Sequence, residues 1–157
     1  MSYVSQAKES ALDDAGDPRP LVSVLIVTRG KLPMLKNCLS SMKAGLEWTD
    51  SEVVVVEHET ADAGQFVHDK YPGYKIFRLT DEETKQSFST LNNFAAKQST
   101  GKYLWLVNND VLVRKDTLAE MMKVMDEKPD VGLVGAKRIT VARGRHIAQR
   151  TFEKGAA

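Results

Sequence analysis

The sequence predicts a doubly wound, mostly parallel α/β domain, and three observations carry that expectation. Apolar runs rich in β-branched and aromatic residues recur at 22–27, 52–56 and 103–107, the composition of strands buried on both faces. The stretches between them space their apolar residues as helices do, which argues for crossover connections and parallel strands. Each run also ends on polar residues, Thr28, Glu57 and Asn108, and open α/β sheets bind ligands outside the carboxyl ends of their strands.

Taken in order, residues 1–20 are polar and lack periodicity, so a mobile leader is expected there. The first strand, 22–27, runs into Thr28-Arg29-Gly30-Lys31. Pro33 suits a first helical turn, Leu35, Cys38, Leu39 and Met42 form an apolar stripe, and Gly45 is placed to stop the helix. A thiol on such a stripe is a packed core residue rather than a nucleophile. The second strand, 52–56, leads into Glu57-His58-Glu59-Thr60, and a short helix over 62–70 stops at Tyr71-Pro72-Gly73. Residues 74–79 alternate as a third strand, and 81–85 form a charged loop. Phe88, Leu91, Phe94 and Ala95 share a helical face that Gly101 closes. After the 103–107 strand, a helix over 116–128 carries Leu118, Met121, Met122 and Met125 on one side, with Thr117 and Glu120 at capping-box spacing. Val131-Gly132-Leu133-Val134 reads as the start of a further strand, and 141–157 as a basic polar tail with Arg143, Arg145 and Arg150.

The totals narrow the function classes. With 157 residues the chain fits one domain, and 22 basic against 21 acidic side chains give a net charge of +1. No basic stripe with interleaved aromatics is present, so nucleic acid is not an expected partner. Cys38 is the only cysteine, which excludes an internal disulfide and a cysteine-built zinc site. No apolar run approaches the roughly 20 residues of a membrane span, and no signal-peptide core opens the chain, so a cytoplasmic protein is expected.

The chemistry centres on Asn108-Asn109-Asp110, where the third run stops. Such residues favour turns, but hard oxygen donors at a strand end also suit Mg²⁺ or Mn²⁺, which take one or two carboxylates plus ligand phosphates. A P-loop, a Gly-x-Gly-x-x-Gly fingerprint and a Gly-x-Ser-x-Gly elbow are all missing. His58, His68 and His146 lack metal-ligand spacing and read as surface or turn residues. Glu57 is placed to hydrogen-bond a ribose or base, and a metal at Asp110 would bridge a diphosphate and neutralise a departing nucleotide. Those two demands together describe activated-sugar chemistry.

The same residues resemble a known family. Val22 to Thr28, Glu52 to Glu57, Asn93 eight residues before Gly101, Leu106 to Asp110, and Lys128-Pro129-Asp130 followed by Val131 to Lys137 are similar, in that order, to the family 2 glycosyltransferases of GT-A fold. The resemblance covers 21–140 and implies a Rossmann-like, GT-A-type sheet that binds a nucleotide-diphosphate sugar. It implies that Thr28 and Arg29 contact the nucleoside, that Glu57 meets the base, and that Asn93 packs close to the site. Asn108 and Asp110 take the ends of an Asp-x-Asp motif, with Asp110 the ligand for Mg²⁺ or Mn²⁺ and Asn108 a neutral substitute facing ribose or diphosphate. Sugar transfer would proceed with inversion in the complete enzyme, to a saccharide, lipid or protein acceptor.

The sequence departs from the family pattern at Arg29-Gly30, at Glu57-His58-Glu59-Thr60 and at Lys85. The family's catalytic base lies in the acceptor half, well beyond the Asp-x-Asp motif. No residue here matches it, Glu153 included, so the catalytic residue is unassigned. The chain is expected to be a donor-binding half, with a second domain or chain supplying the acceptor site. Two alternatives stand beside this reading, a non-catalytic nucleotide-sugar-binding module and a nucleotidyltransferase.

Overall fold

The computed structural model describes residues 21–58, 62–79, 87–142 and 145–148, with side chains as far as 138. The leader, Glu59, Thr60, Lys85, Arg143, Arg150 and Glu153 lie outside the described residues. The chain divides into two compact units, Met1–Lys115 and Asp116–Ala157.

The first unit alternates strand and helix as β1 (Val22–Thr28), α1 (Leu32–Leu46), β2 (Ser51–His58), α2 (Asp62–Lys70), β3 (Lys75–Leu79), α3 (Phe88–Lys97) and β4 (Tyr103–Asn108). All strand pairs are parallel, in the order β3-β2-β1-β4. This is the α/β Rossmann-like sheet that the alternation predicts. From β1 the chain steps outward to β2 and β3, then returns to the other side of β1 as β4. The crevice between the ends of β1 and β4 is therefore the topological switch point, where such sheets bind ligands.

Apolar burial explains the elements. Every residue of β1 is buried, as befits a central strand covered on both faces. Leu25, Val27, Val54 and Val56 share one face and pack with Leu91 and Ala95 of α3, flanked by Phe77 and Phe94. The last two rings meet edge to face at 5.6 Å, a favourable arrangement of their quadrupoles. The expected α1 stripe is realised, with Leu35, Cys38, Leu39 and Met42 all buried. That helix runs through Gly45 and ends at Leu46, one residue past the expected stop.

Four expectations are corrected. β4 is not buried on both faces, since Leu104 is 47% and Leu106 56% exposed. Among the described residues it lies at the edge of the sheet and pairs with β1 alone, and α3 covers β1 and β2 instead. Phe88 does not join the α3 core face and is 57% exposed, because it sits at the first residue of the helix. His58 is no surface histidine: β2 runs two residues past the expected end, and His58 is 2% exposed within it. The fourth correction falls in the second unit, where 131–134 form no strand. Leu133 there is 90% exposed, and Gly132 and Gly135 have open space around them, so among the described residues the segment has no neighbouring strand to complete a ladder.

The second unit instead holds α4 (Thr117–Glu127) and an antiparallel pair, β5 (Ile139–Ala142) with β6 (Arg145–Ala148). Part of the expected polar tail, including Arg145 and His146, is thus strand. Asp116 rather than Thr117 takes the N-cap place of α4, so the expected capping-box pair is out of register. Among the described residues no helix is long and apolar enough to cross a membrane.

Candidate functional site

The carboxyl ends of β1 and β4 bring two of the expected segments together. Val27 pairs in register with Asn108, so Thr28-Arg29 and Asn109-Asp110 leave the sheet side by side. A side-chain hydrogen bond closes the gap between them: Asn109 Nδ2 donates to Thr28 Oγ1 at 2.8 Å. The Thr28 hydroxyl in turn donates to the Gly30 carbonyl at 2.9 Å. Thr28 is 1% exposed, so its side chain holds the switch point rather than facing solvent. The Thr28 hydroxyl thus sits between the Asn109 amide and the Gly30 carbonyl.

Beyond Thr28 the backbone turns through two residues of positive φ, Gly30 at 67° and Lys31 at 57°. Lys31 is the only non-glycine in that region among the described residues. It takes the N-cap place of α1 without a side-chain cap bond. A left-handed lysine costs about 1–2 kcal/mol, and such strain concentrates where function holds a turn in place. Arg29 and Lys31 are both exposed, and no acidic residue occupies the first turn of α1.

At the end of β4, Asn108 and Asp110 are exposed whereas Asn109 is half-buried. Asn109 had no role in the sequence reading, although the period-2 alternation of strands turns it away from its two neighbours. That alternation was the available signal. Beneath the turn lies Cys38, fully buried, with Sγ 3.5 Å from the Asn108 carbonyl. Burial, with the Asp110 carboxylate adding to it, pushes this thiol up to about 11, so it stays protonated as a core thiol.

Glu57 stands near the end of β2. It is completely buried, and its two carboxylate oxygens accept the amides of Ala63 at 3.0 Å and Gly64 at 3.1 Å. These are early amides of α2, whose partial positive charge favours a carboxylate. The close fit depends on Gly64, where an added Cβ would stand 2.6 Å from Glu57 Oε2. Both oxygens of the Glu57 carboxylate are thus engaged by α2. Asn93 stands on the exposed side of α3. Its neighbour Asn92 is the buried one, and bonds the Phe88 carbonyl at 2.9 Å.

The exposed polar set at the switch point is thus Arg29, Asn108 and Asp110. Among the described residues no three acidic, histidine or cysteine side chains gather around a common point. The donors fit a hard cation that brings most of its ligands with it, as Mg²⁺ and Mn²⁺ do when they arrive on phosphates. They do not fit a closed protein cage.

Comparison with known proteins agrees with this fold. The family model described as glycosyl transferase family 2 matches residues 23–154. The chain belongs to glycosyl transferase family 2. An uncharacterized protein of Sinorhizobium fredii, y4gI, is 33% identical to this family 2 chain over 121 residues, covering 75% of it and 13% of the relative. Two solved structures share the fold. One is S. aureus TarS 1-349 in complex with UDP-GlcNAc, with TM-score 0.62 and 22% identity, covering 85% of this chain and 38% of that one. The other is the mannosyltransferase PcManGT of Pyrobaculum calidifontis in complex with GDP-Man and Mn²⁺, with TM-score 0.56 and 23% identity, covering 76% and 36%. The family 2 chain spans less than a quarter of the length of the curated relatives it matches.

Proposed function

We propose that this family 2 domain binds a nucleotide-diphosphate sugar at the β1–β4 switch point together with Mg²⁺ or Mn²⁺. One observation carries the reading: the exposed Arg29, Asn108 and Asp110 stand together at the switch point, on strand ends tied by the Asn109–Thr28 bond. Support for the ligand class comes from the two solved neighbours, whose complexes contain UDP-GlcNAc in one case and GDP-Man with Mn²⁺ in the other.

In this proposal Asp110 offers the one carboxylate to the cation, and the amide of Asn108 faces ribose or diphosphate without adding charge. Arg29 approaches the phosphates or nucleoside from β1, and Thr28 and Glu57 hold the strand ends in place from within the core. Asn93 remains a proposed contributor from α3. The bound metal would neutralise negative charge on the departing nucleoside diphosphate. In the complete enzyme the sugar would pass with inversion to a base-activated hydroxyl of a saccharide, lipid or protein acceptor. A cytoplasmic setting, and a further domain or chain that holds the acceptor, belong to the same proposal.

The second reading is a binding module without turnover. It is favoured by the neutral Asn108 at one end of the motif, which leaves a single carboxylate for the metal. Calorimetric titration of UDP, GDP, UDP-GlcNAc and GDP-Man, each with and without Mn²⁺, tests the shared part of both readings. Metal-dependent binding to at least one nucleotide is expected, and its loss in Asp110→Asn. Equal affinity of both proteins in Mn²⁺ would remove Asp110 from the site. Transfer of labelled sugar to an acceptor, or its absence, then separates enzyme from module.

A further inference from the structure

Residues 109–113 follow β4 without helix or strand and include Asp110, yet α1 grips the chain on both sides of the carboxylate. On the near side, the Cys38 thiol donates to the Asn108 carbonyl at 3.5 Å, a normal length for a sulfur donor. On the far side, the Val113 amide donates to Ser41 Oγ at 2.9 Å. Ser41 has one hydroxyl proton, and it goes to the Cys38 carbonyl one helical turn back, at 2.7 Å. The hydroxyl is thereby oriented with its lone pairs toward Val113. Cys38 and Ser41 are three residues apart, so both reach the same side of α1.

The two grips are independent of the Asn109–Thr28 bond, which restrains the turn from β1. Together the three bonds attach residues 108, 109 and 113 to two different elements. Asp110 makes no comparable bond among the described residues, so its place rests on those neighbours.

We propose that Ser41 and Cys38 of α1 are positioning residues for Asp110, holding the main chain on either side of it where a nucleotide-bound cation can be met. The proposal rests on the reading of Asp110 as the metal-facing carboxylate. Its physical content is preorganisation: a turn already fixed loses less conformational freedom when the cation arrives. Groups that hold a metal ligand in place typically change metal affinity by about 10–100-fold when removed.

The test uses the whole 157-residue chain and three proteins, wild type, Ser41→Ala and Ser41→Thr. Two readings are taken on each: hydrogen exchange of the Val113 amide without ligand, and the Mn²⁺ concentration that half-saturates binding of UDP and, in parallel, GDP. Ser41→Ala should speed exchange at Val113 and raise the half-saturating Mn²⁺ about 10-fold, leaving metal-free nucleotide affinity unchanged. Ser41→Thr, which keeps the hydroxyl, should restore both. Faster exchange with unchanged Mn²⁺ dependence would show a loop staple of structural value alone and overturn the proposal. Loss in Ser41→Thr equal to that in Ser41→Ala would overturn it as well. A wild type that binds neither nucleotide in a metal-dependent way would defeat the proposed function itself, and this inference with it.

Discussion

The two edges of the central sheet are both polar, and they differ in whether that polarity is spent. At the amino edge, Glu52 of β2 takes hydrogen bonds from the Ser23 hydroxyl at 2.5 Å and from the Thr100 amide and hydroxyl at 2.5 and 3.1 Å. Its second oxygen meets Lys75 Nζ at 2.6 Å. The Gly101 amide adds a bond to Ser23 Oγ at 2.8 Å. This closeness requires glycine, because a Cβ at Gly101 would stand 2.6 Å from the Ser23 amide nitrogen. At the carboxyl edge, Glu57 and Thr28 are spent in the same way, but Asn108 and Asp110 project to solvent. Buried polar groups need partners, so a closed network marks a structural joint. Exposed polar groups at a switch point are free to act on a ligand.

The comparison breaks most sharply at Asp110. Asp110→Asn should abolish metal-dependent nucleotide binding, a loss of at least about 10-fold, while the melting temperature stays within a degree or two of wild type. A thermal scan beside the calorimetry checks both halves, and a large fall in melting temperature would move Asp110 into the structural class.

Glu57→Ala should behave in the opposite way. Removing two charge-assisted bonds to α2 should destabilise the fold by about 1–3 kcal/mol, read by urea unfolding. Any fall in nucleotide affinity should disappear once the folded fraction is corrected for. A persistent affinity loss in fully folded protein would return Glu57 to the list of direct contacts.

Glu52→Gln sharpens the other side. Burial alone would raise the Glu52 carboxyl, but the Lys75 pair and the Ser23 and Thr100 bonds outweigh it and hold it below the usual carboxylate range. A lowered folded-state pKa contributes stability above the unfolded value of 4.5, and that contribution is lost as pH falls through the folded pKa. Glu52→Gln should therefore cost about 1–2 kcal/mol at neutral pH, less than a fully buried pair because both partners touch solvent. The difference from wild type should shrink below pH 4.5, and nucleotide binding should be unaffected. A constant difference from pH 3 to 7 would refute the pairing account.

The smallest effect is expected at Lys31. Lys31→Gly relieves the left-handed strain and should stabilise the domain by about 0.5–1 kcal/mol, part of the relief being offset by glycine's larger unfolded-state entropy. If the strained turn serves the site, nucleotide affinity should fall as stability rises. A gain in both would make the strain incidental.

Much of this architecture was legible in local pattern. The stripe Leu35, Cys38, Leu39 and Met42 is the buried face of α1, and the Val53–Val56 run is fully buried in β2, because both signals arise within one element. The gathering of Thr28-Arg29 with Asn108-Asp110 was also legible, since it follows from parallel strands joined by crossovers. Misreadings occurred where neighbouring elements decide a residue's burial or pairing. The burial of β4 depended on its place in the order β3-β2-β1-β4, and among the described residues 131–134 have no neighbouring strand. Glu57 and Asp110 look alike as carboxylates after apolar runs, yet the amides of Ala63 and Gly64 claim one and leave the other exposed.

In the first unit, then, the sequence by itself determined which segments become strands and helices, that the strands run parallel, and which polar residues end them. Periodicity and composition suffice for that, because burial of an amphipathic element is decided along its own length. Only the tertiary structure decided which of those polar ends are consumed and which remain for a ligand. The reason is physical: a hydrogen bond is satisfied by whatever donor the fold brings within about 3 Å, and a strand end does not encode which helix will arrive beside it.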